Sequence, residues 1–130
     1  MTLPPTQTII LLEDDELISA LFKATLEHNG FQVISAPNSK DILILYQKYQ
    51  PVLVITDLMM PDHEGMEGIF RLRQVSDIPV IAMSINIKFL KMSEDLVTLT
   101  LAKPFSAEFL LENVRQVLHI YNNKNTKETS

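Results

Sequence analysis

Charged and hydroxyl side chains stand directly after apolar runs at four places in this sequence. Thr8-Ile9-Ile10-Leu11-Leu12 runs into Glu13-Asp14-Asp15-Glu16, and Val52-Leu53-Val54-Ile55-Thr56 ends on Asp57. Val80-Ile81-Ala82-Met83 ends on Ser84, and Leu96–Ala102 ends on Lys103. Crowded carboxylates repel one another unless they face water or a cation. Oxygen ligands without His or Cys favour a hard divalent ion, and Mg²⁺ is the natural choice. Such an ion would ease repulsion between these acids and an incoming phosphoryl group and bridge their oxygens. Lys103 would supply a mobile point charge to the same oxygens, and Ser84 a hydroxyl donor. Asp57 is then placed as a nucleophile of the aspartyl-phosphate kind. Each residue also has a plain structural use. Asp57, near Pro61, can cap a turn; the acidic run can open a solvated helix; Ser84 can be a cap and Lys103 a surface charge. Their joint placement at successive strand ends favours the chemical reading.

That placement needs parallel strands whose carboxyl ends meet, the usual crevice of an open α/β sheet. Residues 52–57 suit a central strand, apolar on both faces. After the first strand, Ile18, Leu21, Phe22, Thr25 and Leu26 repeat at helical spacing, with Asp15 as N-cap and Gly30 as a left-handed C-terminal position. Phe31–Ser35 reads as a short strand, and Asn38 with Asp41 resembles a capping arrangement for a helix carrying Ile42, Leu45, Tyr46 and Tyr49. A helix from about Met66 to Gln74 turns Ile69 and Leu72 inward, with Gly68 weakening it. Ile85, Phe89 and Met92 are spaced for a helix of two or three turns with Lys88 and Lys91 outward. Leu96–Ala102 supplies the last strand, and Ser106 caps a final helix carrying Phe109, Leu110, Val114, Val117 and Leu118. Strand and helix alternate five times, which predicts a parallel five-stranded α/β sheet with helices on both faces. The expected organisation is one domain over 1–121 and a polar, flexible tail or linker over 122–130.

Composition narrows the function classes. The chain has 130 residues, 46% of them hydrophobic, which suits one domain with a real core. It has no cysteine, so disulfide and thiol chemistry are excluded, and a reducing, cytoplasmic compartment is the expectation. No apolar run approaches the ~20 residues of a membrane span. A formal charge of −5 offers no general basic footprint for nucleic acid, so any contact with DNA would run through a partner or a separate output domain.

With these residues in view, the chain resembles a response-regulator receiver domain of two-component signalling. The resemblance rests on Ile9–Asp14, on Asp57-Leu58-Met59-Met60-Pro61 with Gly65, on Ile81–Ser84 and on Lys103-Pro104-Phe105, and it covers about residues 7–120. It implies a doubly wound, flavodoxin-like (βα)5 fold with strand order 2-1-3-4-5. It also implies that the acidic pair is Glu13 and Asp14, with Asp14 a direct Mg²⁺ ligand, Glu13 a water-mediated one and Asp15 a cap. Asp57 and the Met59 backbone carbonyl would complete the protein ligands. Asp57 would accept a phosphoryl group from a histidine kinase or phosphotransfer protein, and Ser84 and Lys103 would hold its oxygens. The resemblance further implies self-phosphotransfer and autodephosphorylation without an outside turnover substrate. A downstream effector or separate output domain, and homodimerisation through the helix 4–strand 5–helix 5 face, are family expectations.

The chain departs from the family pattern in its signalling half. Thr100 stands where receiver domains usually carry Tyr or Phe, three residues before the Lys, and the usual Ala-x-x-x-Gly-Ala approach to strand five is absent. These departures suggest a readout through a reshaped helix-four region, and they leave a phosphorylation-independent interaction module as the alternative. Apolar Met59, two residues after Asp57, suggests a long-lived phosphoryl group. His63 reads as a surface-loop residue, since one His without a matched second ligand is poor metal chemistry. A flavodoxin-like cofactor domain is disfavoured because Glu13–Glu16 would repel a flavin phosphate.

Overall fold

A computed structural model describes residues 6–60 and 65–129. The turn expected at Pro61 and the position expected for His63 lie outside those residues. The elements are β1 (Thr8–Leu12), α1 (Glu16–His28), β2 (Gln32–Ala36), α2 (Ile42–Tyr49), β3 (Leu53–Asp57), α3 (Gly65–Arg73), β4 (Val80–Ser84), α4 (Ile87–Ser93), β5 (Leu99–Ala102) and α5 (Ala107–Thr129). The strands form one parallel sheet in the order β2-β1-β3-β4-β5.

Every residue of β1, β3 and β4 is buried, as expected for strands covered by helices on both faces. Alternation divides their side chains between two cores. Ile9, Leu11, Ile55, Met83 and Leu101 pack with Phe22 and Leu26 of α1 and Leu110, Val114 and Leu118 of α5. Ile10, Leu12, Val54, Val80 and Ala82 pack with Ile42 of α2, Ile69 and Leu72 of α3 and Leu90 of α4. Each fully buried Ile or Leu contributes about 2 kcal/mol of transfer free energy.

Several local signals act as expected. The Asp15 carboxylate accepts the Ile18 N–H at 3.0 Å and caps α1. Gly30, at φ +96°, takes the left-handed position after that helix. Ser106 Oγ accepts the Phe109 N–H at 3.0 Å and starts α5. Phe105 stacks on Phe22 with ring centroids 5.5 Å apart, so it is a packing residue.

Other expectations are corrected. The Asn38 side chain accepts the Lys40 N–H in a local turn and does not cap α2, and no side-chain cap bond is made by Asp41. β2 runs one residue later than Phe31–Ser35 because Gln32 pairs opposite Thr8. β5 begins only at Leu99. Leu96 and Val97 hydrogen-bond back to Ser93 and pack on the second core, so the chain is still turning out of α4 there. α4 buries Leu90 and Ser93, whereas Ile85 and Met92 are exposed. Phe109 and Leu21 are largely exposed on helices whose neighbouring positions face the core. Finally, 122–129 continues α5 where a frayed tail is expected. A helix already nucleated on the core needs only propagation, and those residues include no Gly or Pro to stop it.

Candidate functional site

The site forms where the two central strands and their neighbours end. Leu12 lies opposite Thr56 in the β1–β3 register, so Glu13 and Asp57 follow side by side. Asp57 pairs with Met83 of β4, one residue before Ser84, and Ser84 pairs with Ala102 of β5, one residue before Lys103. Glu13, Asp57 and Lys103 each lie two residues beyond a side chain of the α1/α5 core, namely Leu11, Ile55 and Leu101. The two-residue strand period therefore turns all three toward one another.

Lys103 joins them. Its Nζ donates to Glu13 Oε1 at 2.5 Å and to Asp57 Oδ2 at 2.6 Å. The Lys103 side chain is only 12% exposed, and both carboxylates are buried. The Lys103 N–H donates to the Ser84 carbonyl at 3.0 Å, and the Lys103–Pro104 peptide bond is cis. Burial holds the Glu13 carboxyl above the usual range, and the hydrogen bond from Lys103 offsets only part of that. Burial alone would lower Lys103. The hydrogen bonds to Asp57 and Glu13, together with the charges of those carboxylates, outweigh it and raise the ammonium above its ordinary value.

Asp57 is held on both oxygens, because Oδ1 accepts the Met59 N–H at 2.8 Å. Sequence alone does not reveal this backbone donor. Asp14 is exposed, yet one oxygen from each of Glu13, Asp14 and Asp57 lies within 4.8 Å of the others. Three carboxylates without a soft ligand fit a hard divalent cation. Buried Ser84 stands at the adjacent strand end, and its Oγ accepts the Asn86 N–H at 3.0 Å. Asn86 Oδ1 in turn accepts the Lys88 N–H at 2.9 Å and starts α4. A hydroxyl that accepts one bond still has its proton to donate. Thr100 is half-buried on β5 opposite Ala82.

Arg73 was not singled out by its sequence pattern. Its guanidinium donates to the carbonyls of Leu96, Ser76 and Ile78, tying the end of α3 to the α3–β4 connection and to the segment after α4. Burial lowers its pKa from the ordinary arginine value.

Comparison with known proteins shows the family and the fold. The family described as the response regulator receiver domain matches residues 9–115. The probable transcriptional regulator ycf27 of Porphyra purpurea is 31% identical over 118 residues, covering 86% of this chain and 47% of that protein. Response regulator RR06 of Streptococcus pneumoniae is 31% identical over 120 residues, covering 87% of this chain and 54% of that protein. The chain thus spans about half the length of the curated relatives it matches. Among solved structures, a CheY-like receiver domain protein from Methanospirillum hungatei superposes with TM-score 0.85 at 21% identity, covering 92% of this chain and 99% of that one. Vibrio cholerae chemotaxis protein CheY4 gives TM-score 0.80 at 24% identity, covering 87% and 99%. The chain belongs to the response regulator receiver domain family, and with it to phosphorelay signalling in general. Among the described residues, no helix is long and apolar enough to cross a membrane.

Proposed function

We propose that this domain is a phosphorylation-dependent switch that takes a phosphoryl group onto Asp57 from a histidine kinase or phosphotransfer protein. The observation that carries this reading is the shared ammonium: Lys103 bridges Glu13 and Asp57 at the carboxyl ends of parallel strands. In the transfer, an Asp57 carboxylate oxygen attacks phosphorus, the donor's P–N bond breaks, and an acyl phosphate forms. Lys103 is already within hydrogen-bonding distance of Asp57 and would follow the new charge. Ser84 would offer its hydroxyl proton to a phosphoryl oxygen. Glu13, Asp14, Asp57 and the Met59 carbonyl would hold Mg²⁺, which when bound neutralises carboxylate and phosphoryl charge. The domain would transfer and hydrolyse its own phosphoryl group without turning over an outside substrate, and a downstream effector or output domain would receive the signal.

Borohydride reduces an acyl phosphate to an alcohol. Treatment after exposure to a small phosphodonor and Mg²⁺, followed by peptide mapping, should therefore convert Asp57 alone to homoserine. Conversion at another carboxylate would overturn the assignment. No conversion with either a small donor or a phosphorylated partner would favour an interaction module that does not use phosphorylation.

A further inference from the structure

We infer that the groove between α3 and α4 is a docking site for a cationic amphipathic helix of another protein. The groove has a volume of about 1000 Å³ and starts at Asp14, beside the carboxylate cluster. Met59, Met66 and Phe70 line it from the β3–α3 side, and Phe89 and Met92 from α4. Three of these are well exposed for large apolar residues: Met59 at 42%, Phe70 at 51% and Met92 at 63%. Apolar grooves of this kind accept the apolar face of a helix, and methionine side chains adapt to its shape.

Charge selects the occupant. Among the described residues, the ionisable side chains lining the groove are Asp14 and Glu67, both acidic and both exposed. A matching helix therefore carries bulky apolar residues at helical spacing with Lys or Arg flanking them. The helices of a second copy match poorly: α2 sets exposed Lys48 one turn after exposed Ile44 but is only 8 residues long, and the faces of α1 and α5 carry acids. The exposed Leu17 of α1 sits beside Glu16, and the exposed Phe109 of α5 sits beside Glu108, with Glu112 one turn on. Either helix would bring acid to acid. α4 itself carries Lys88 and Lys91, but it is already a wall of the groove. An anionic membrane surface would likewise be repelled by the two acids.

The proposal goes beyond phosphoryl chemistry and is tested on the unphosphorylated protein, so its failure leaves Asp57 chemistry untouched. The probe is a labelled, end-capped 18-residue helical peptide with Leu at i, i+3, i+4 and i+7 and Lys on the flanks. Controls are the same peptide with every Lys replaced by Glu, and one with scrambled order. Anisotropy should show the Lys peptide binding at least about tenfold more tightly than either control. Amide shifts should map to α3 and α4. Phe70→Ala and Met92→Ala should each weaken binding about fivefold or more, and Glu67→Lys should weaken it in a salt-dependent manner. These positions are exposed, and circular dichroism would confirm that each variant is folded. Equal binding of the Lys and Glu peptides would overturn the inference, as would shifts centred elsewhere. So would concentration-dependent dimerisation blocked by Phe70→Ala, or binding of the protein itself to anionic vesicles, without peptide, that Phe70→Ala abolishes.

Discussion

Lys103 gives the residue scale its sharpest consequence. It neutralises two buried carboxylates at once, so Lys103→Met leaves Glu13 and Asp57 facing each other without a cation. Breaking a buried ion pair from one side costs about 3 kcal/mol or more. Because the folded protein raises the Lys103 pKa, the contribution is complete below the unfolded value of about 10.4. It is lost as pH rises through the folded value. Urea unfolding in metal-free buffer should show the gap between parent and Lys103→Met at pH 7 and its narrowing in the alkaline range. A gap that stays constant would count against the ion-pair account. Met59 is the second case. Its N–H fixes Asp57 Oδ1 while its side chain stays largely exposed. Met59→Asn keeps the backbone donor and puts a polar side chain, able to hold a water, two residues after Asp57. Its phosphoryl group should be lost several-fold faster, and an unchanged or slower rate would refute the point. Asp57, Ser84, Lys103 and the acidic run Glu13–Glu16 could be picked out because each follows an apolar strand, whereas the choice of Glu13 and Asp14 within that run came from the family resemblance. The Met59 and Asn86 amide donors could not, since every residue but Pro carries one and only the fold aims it.

Elements were legible where periodicity was strong and obscure where close approach decided the outcome. Gly68 looks in sequence like a weak point of α3. A Cβ there would lie 2.6 Å from the Ser39 Cβ, so the glycine lets the start of α2 press against α3. Gly68→Ala gains up to about 1 kcal/mol of helix propensity. The clash with buried Ser39 should exceed that gain and destabilise the protein by about 1–2 kcal/mol net. Adding Ser39→Gly should recover part of the loss in chemical unfolding, and a stabilised Gly68→Ala would contradict this packing. α4 carries the weakest sequence signal. Its seven residues bury only Leu90 and Ser93, and its N-terminus hangs from Asn86, which donates to Ser84 Oγ. With Thr100 in place of a large ring, the route out of the site is expected to run from Ser84 through Asn86 into α4. Amide shifts on adding a stable phosphoryl mimic should extend through α4 to the Leu96 segment latched by Arg73. Shifts confined to residues around Asp57 would argue against that route.

At the scale of the whole molecule, the parallel sheet is what turns scattered sequence features into one site. Two cores, one on each face, fix the strands in register, and the register sets the carboxylates and the ammonium side by side. Alternation of strands and helices was enough to predict this layering, because parallel strands need crossovers and crossovers bring helices to both faces. Strand order was not readable from alternation and came from the family resemblance; it is as that resemblance implies. The helical continuation of α5 through Thr129 was missed because polar residues without periodicity give no sign of a helix carried forward by its neighbours. Asp57 as the phosphoryl acceptor is the central claim. Its most direct test is the intact mass of the protein after incubation with a small phosphodonor, with Mg²⁺ or with EDTA, for the parent and Asp57→Asn. The predicted result is one phosphoryl group added to the parent, only with Mg²⁺, and none to the variant. Equal addition to both proteins, or addition that ignores Mg²⁺, would contradict it.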